Sequence, residues 1–150
     1  LWLNERLGRS DGPPPAVDLQ RELRVGVFVR ELIRRSLVTA VHDISDGGLA
    51  VSVAEMALAG GIGGDVSIED AGPKWLFGEE QGRYLVTTSA SVELEAFAAD
   101  SGVDAMQLGE TGGDKLVFHA MDYAEVPLHV LRAAHEGFFP KLMGADAALA

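Results

Sequence analysis

A chain of 150 residues is the size of one domain, and with 47% hydrophobic side chains it can close a core without staples. It contains no cysteine, which excludes disulfide scaffolds, thiolate nucleophiles and thiolate metal centres. A net charge of −11 argues against non-specific nucleic-acid binding, and no run approaches the roughly 18 apolar residues of a membrane span.

The opening residues LWLNERLG lack the basic start and long apolar middle of a signal peptide, and there is no initiating Met. The chain therefore reads as a piece of a longer protein, cytoplasmic by default. Gly12-Pro13-Pro14-Pro15 breaks whatever precedes it, so residues 1–15 are expected to be a connecting segment from a preceding domain. Asp18 then caps a surface helix over 18–36. Its apolar stripe is Val25, Phe28, Val29, Leu32 and Ile33, with arginines opposite. Residues 1–35 hold seven of the twelve basic side chains against five acidic ones, and the remainder holds five basic against eighteen acidic. Arg21, Arg24, Arg34 and Arg35 read either as a solvated face or as a surface meeting an acidic neighbouring domain.

Leu37 to Ile44 is expected to be a buried strand, and Asp46 to Ala59 a central helix, apolar nearly all round and stopped by Gly60-Gly61. Val66 and Ile68 alternate with Asp65, Ser67 and Glu69, as on a half-buried strand. Arg83 to Thr88 is a further strand, and Ser91 caps a helix to Asp100. Strands over 104–110 and 115–119 are expected to form a hairpin about Thr111-Gly112-Gly113-Asp114. A last helix starts at Pro127 and runs to Met143. Hairpins mixed with helices imply an α+β fold, a layered domain with a mixed β-sheet flanked by helices. It would span 16–143, with 144–150 a frayed tail.

Two segments carry chemistry. His42-Asp43-Ile44-Ser45-Asp46-Gly47-Gly48-Leu49 joins a strand to a helix. Amides at the helix start suit a phosphate, Asp43 suits magnesium, and the glycines allow close approach of a ligand. The alternative is that Ser45 or Asp46 caps the helix and the glycines serve packing. Leu76-Phe77-Gly78-Glu79-Glu80-Gln81-Gly82-Arg83 gathers two carboxylates, an amide and a guanidinium, either for a polar substrate or metal or as a loop closed by an Arg83 ion pair. Lookalikes fail. A calcium loop from Asp43 would place Gly47 and Ala54 where ligands are needed, and GGIGG at 60–64 follows a helix, unlike a dinucleotide fingerprint. His42, His119, His129 and His135 show no metal-ligand spacing, and no G-x-S-x-G surrounds Ser45.

HDISDGGLAVSVAEMALAGGIG, LFGEEQGRYLVT, LGETGGDKLVF and LRAAHEGFFPKLMG occur in the order found near the C-terminus of phosphoribosylformylglycinamidine synthases. Over residues 1–143 the chain resembles the domain of that family shared with aminoimidazole ribonucleotide synthase. The resemblance implies that domain's fold and a C-terminal fragment of an ATP-dependent synthase of purine biosynthesis. That enzyme converts formylglycinamide ribonucleotide to the amidine with ammonia from glutamine. ATP and Mg2+ would serve the complete enzyme, whose catalytic residues lie outside this chain, so the fragment would be inactive alone. By analogy with the enzyme's first half, Asp43 would be a metal ligand. Ser45, Asp46, Gly47, Gly48, Glu79 and Gln81 would line an auxiliary or relic nucleotide site. Implied partners are the remaining domains of the synthase, a glutaminase subunit and a small accessory subunit, with neither nucleic acid nor membrane. The alternatives are another ATP-dependent enzyme of the superfamily (aminoimidazole ribonucleotide synthase, hydrogenase-maturation or selenophosphate type) or a docking domain.

Overall fold

The structure, a computed structural model, describes residues 2–68, 72–120 and 123–144. The chain divides into two compact units, Leu1–Val53 with Asp70–Leu108, and Ala54–Glu69 with Gly109–Ala150.

The first unit opens with α1 (Trp2–Leu7), whose Trp2 ring stacks on Phe77 at 5.8 Å. Helix α2 (Leu19–Arg34) begins where the Asp18 carboxylate accepts from the Gln20 and Arg21 amides, as the N-cap reading required. Its end carried no glycine signal. Ser36 takes the left-handed conformation (φ 56°), the Ser36 amide bonds to the Ile33 carbonyl, and the Leu37 amide bonds to that of Leu32. This is a Schellman closure with serine where glycine is usual. Phe28, Val29 and Leu32 pack on Leu94 and Ala98 of α5 (Ser91–Asp100), and the rings of Phe28 and Phe97 lie 5.1 Å apart. Ile33, expected in that stripe, is exposed. Leu19, Leu23 and Val27 form a second apolar row that is also exposed, so the helix has more than one apolar face.

Strand β1 (Ala40–Asp43) pairs antiparallel with β3 (Tyr84–Thr87) in a two-stranded sheet. Hence β1 is shorter than expected and only partly buried at its centre, because it has one neighbour. Helix α3 (Gly48–Gly60) starts two residues late because Gly47 and Gly48 both have positive φ and turn the chain before it. Helix α4 (Pro73–Phe77) went unrecognised, although Gly72-Pro73 is a helix-start signal, with proline at the first position. Helix α5 has the expected span but a different cap. Ala90 occupies the N-cap, and its amide bonds to the Thr88 hydroxyl.

The second unit holds a mixed sheet in the order β4-β2-β5-β6, from β2 (Gly64–Ser67), β4 (Gly109–Thr111), β5 (Lys115–His119) and β6 (Tyr123–Pro127). The mixed α+β character follows expectation; the hairpin does not. Strand β2 lies between β4 and β5, antiparallel to one and parallel to the other. The Gly112 amide bonds to the Gly63 carbonyl, and the Gly63 amide bonds to that of Gly113. Strand alternation puts Val66 and Leu116 on the buried face and Asp65, Lys115, His119 and Glu125 on the exposed one. Strand β6 was not foreseen, and the strand expected over 104–110 is confined to Gly109–Thr111.

The last helix is two, α6 (Leu128–Glu136) and α7 (Phe138–Leu142), broken at Gly137. Pro140 explains the break. A continuous helix would need its missing N–H and set its ring against the Glu136 carbonyl, whereas in the first turn of α7 neither cost arises. Of the tail expected over 144–150, Gly144 is described, its amide bonding to the Lys141 carbonyl, whereas residues 145–150, like Glu69, lie outside the described residues.

Candidate functional site

Every residue assigned to the candidate site falls in the first unit. Asp43 ends β1, opposite Tyr84, and its side chain is exposed. His42 precedes it, and its ring Nδ1–H donates to the Asp43 carbonyl at 2.5 Å. Ser45 and Asp46 are exposed in the turn that follows, while Gly47 and Gly48 are buried. The Ser45 carbonyl accepts from the Gly48 amide at 3.0 Å, closing the turn.

The glycines meet protein. A Cβ on Gly48 would lie 2.6 Å from the Phe77 carbonyl carbon, 2.7 Å from its Cα and 2.8 Å from the Leu76 carbonyl oxygen. The start of α3 is thus seated on the backbone of α4, an approach only glycine permits. A Cβ on Gly47 would lie 2.5 Å from Val51 Cγ2. Ser52, the buried polar side chain of α3, donates its hydroxyl back to the Gly48 carbonyl at 3.1 Å.

The two candidate segments meet at one bond. Glu79 Oε1 accepts from the Gly47 amide at 3.0 Å, from 32 positions along the chain. The Gly47 amide holds the Glu79 carboxyl below its ordinary value, against partial desolvation, which raises it. This carboxylate acts as a remote cap at the positive end of α3. Gln81 is exposed and is not brought to the turn by any bond among the described residues.

Arg83 closes the acidic loop, but mainly through backbone acceptors. Its guanidinium donates to the carbonyls of Trp75 (3.3 Å) and Gly78 (3.4 Å) and lies 4.9 Å from the Trp75 ring centroid. Glu80 stands 4.0 Å away and also meets Lys74 at 3.4 Å. Burial pushes the Arg83 guanidinium down from its ordinary value, and Glu80 partly offsets this. Trp75 and the α4 backbone were missed as parts of the site because α4 itself was missed.

Two anion-binding amides are therefore already engaged, that of Gly47 by a carboxylate and that of Gly48 by a carbonyl. Among the described residues no three His, Asp or Glu side chains converge as a metal site. Asp43 offers one exposed carboxylate, which suits an ion that also binds phosphate oxygens, since magnesium needs only one or two protein carboxylates there. Among the described residues no helix is long and apolar enough to cross a membrane.

The family described as AIR synthase related protein, C-terminal domain, matches residues 1–121. Subunit PurL of phosphoribosylformylglycinamidine synthase from Zymomonas mobilis is 47% identical over 95% of this chain and 20% of its own length. The corresponding subunit of Methylocella silvestris is 48% identical over 97% of this chain and 20% of its own. The chain thus spans about a fifth of the length of the curated relatives it matches. Among solved structures, Thermotoga maritima PurL complexed with FGAR superposes with a TM-score of 0.68 at 20% identity, covering 78% of this chain and 22% of that one. PurLQS from the same organism gives 0.66 at 20% identity, covering 86% and 24%. At that identity the likeness is one of fold.

Proposed function

The chain belongs to the family of AIR-synthase-related C-terminal domains, and from that premise we propose that it is the C-terminal domain of a PurL-type phosphoribosylformylglycinamidine synthase. The observation that carries this reading is identity of 47% along 95% of the chain to a subunit of that name. In this reading the complete enzyme uses ATP to convert formylglycinamide ribonucleotide to the amidine in purine biosynthesis, in the cytoplasm. The catalytic residues lie in the other four-fifths of the polypeptide. Residues 1–15 lead in from the preceding domain, 16–143 form this one and 144–150 are a tail. Its partners are the other domains of the same synthase, a glutaminase subunit and a small accessory subunit.

Within this domain the turn at 43–48 is first a structural joint, because Gly48 is seated on α4 and the Gly47 amide is engaged by Glu79. Any auxiliary nucleotide would be met by α3 amides beyond Gly48. Asp43 would hold the accompanying Mg2+, which would neutralise phosphate charge, and Ser45, Asp46 and Gln81 would lie at the rim. Glu79 would act through Gly47.

The test replaces the matching fifth of the Zymomonas mobilis subunit with this chain and measures ammonia-dependent amidine formation with ATP. The chimera is expected to be active and the 150-residue chain alone inactive. A folded but inactive chimera, or turnover by the chain alone, would overturn the reading. Asp43→Asn in the chimera should leave the melting temperature unchanged and reduce nucleotide stoichiometry or affinity in calorimetry; unchanged binding removes Asp43 from the site.

A further inference from the structure

Helix α2 presents a second face that the first unit meets only at Glu22, where the loop at Gly82 comes close, and leaves exposed at its apolar residues. Leu19, Leu23 and Val27 stand at i, i+4 and i+8 and are 73%, 70% and 41% exposed. With Glu22, Gly26 and Arg30 they line a shallow open groove. This face lies opposite the one that packs on α5.

Gly26 is the informative residue. It sits in the middle of a 16-residue helix, where glycine costs stability relative to alanine, and its φ is not positive. A Cβ there would meet nothing within 4 Å, so packing inside the unit does not call for it. Bare backbone in a leucine-lined row is what close approach of another element requires. Arg30, in the same row, has no ion-pair partner among the described residues.

We infer that the Leu19–Leu23–Gly26–Val27 face of α2 is a docking surface for the preceding domain of the same polypeptide, which seats an apolar element against Gly26 and brings a carboxylate to Arg30. The inference rests on the synthase reading. The length of the relatives selects the occupant. The relatives carry about four-fifths of their length beyond the part matched here, so a large tethered neighbour is at hand. Tethering supplies an effective concentration in the range of about a millimolar that a free partner lacks. The rival is a second copy, since antiparallel pairing about Gly26 would oppose Glu22 to Arg30.

The experiment places a photo-crosslinking side chain at Leu23 or Val27 of the complete polypeptide and irradiates mixed isotope-labelled and unlabelled copies. Links to the preceding domain within one copy are expected. Links only between copies, only to a separate subunit, or only to solvent overturn the inference. Gly26→Leu provides a second readout. It should leave the melting temperature of the 150-residue chain unchanged or raised, and lower that of the complete polypeptide by several degrees. An unchanged melting temperature in the complete polypeptide also overturns it. Amidine formation is assayed separately, so an inactive polypeptide with intact links counts against the synthase reading and not against the docking surface.

Discussion

Replacing Gly48 by alanine tests whether the joint between α3 and α4 is a packing device. Two costs combine. At φ +72° an L-residue bears left-handed strain of about 1–2 kcal/mol. The new methyl would also sit 2.6–2.8 Å from three backbone atoms of Leu76 and Phe77, which cannot swing aside as a side-chain tip would. Such overpacking costs about 1–3 kcal/mol, for a total of about 2–5 kcal/mol. Gly102 is the internal control. It lies in the same unit, has φ +61°, and a Cβ there would meet nothing within 4 Å. Gly102→Ala should therefore cost only the strain, about 1–2 kcal/mol. For a chain of this size each kcal/mol lowers the melting temperature by about 2–4 °C. Urea denaturation and thermal melts of both variants give the comparison. Equal losses would refute the packing argument, and an unchanged Gly48→Ala would refute the backbone conformation as well.

The remaining expectations concern caps. Glu79→Ala leaves the Gly47 amide without its acceptor and should destabilise by about 1–2 kcal/mol at neutral pH. Because the Glu79 carboxyl is held below its ordinary value of 4.5, its contribution is complete above that pH and is lost as the pH falls through the lowered value. Urea midpoints of wild type and Glu79→Gln should accordingly converge in acid, and a pH-independent gap would count against the ion–amide bond. Ser36→Gly should stabilise by about 1 kcal/mol, since it relieves left-handed strain at φ 56° without touching the Schellman bonds. Loss of stability in chemical denaturation would show that the serine makes a contribution beyond that closure.

What was legible in the residues was what depends on near neighbours. Asp18, the stripe of α2 at Phe28, Val29 and Leu32 and the burial of Val66 and Ile68 all act within a few positions and follow the reading, whereas Ile33, placed in the same stripe, is exposed. The site was half legible. The turn and the acidic loop were each recognised as chemically dense, but the Glu79–Gly47 bond joins residues 32 positions apart, and no local pattern announces it. The same holds for Gly48, whose neighbour is the backbone of an unforeseen five-residue helix. The second apolar row of α2, Leu19, Leu23 and Val27, was passed over because a single stripe already accounts for the face that packs on α5.

The hairpin shows why a strong local signal can still give the wrong sheet. Thr111-Gly112-Gly113-Asp114 reverses the chain, and β4 and β5 do run antiparallel. A turn fixes direction, but pairing is decided by which backbone reaches the free donors first in space. Here Gly63 takes that place, bonding through its carbonyl and amide to the very glycines of the turn. A Cβ on Gly63 would overlap the Lys115 backbone, so only glycine lets β2 enter between the two strands. The GGIGG run that ends α3 therefore does more than stop a helix. Gly61, with φ +63°, turns the chain out of it, and Gly63 slides that chain into a sheet whose other strands lie more than forty residues further on. That placement makes the sheet mixed, and it depends on residues whose only local meaning is a break.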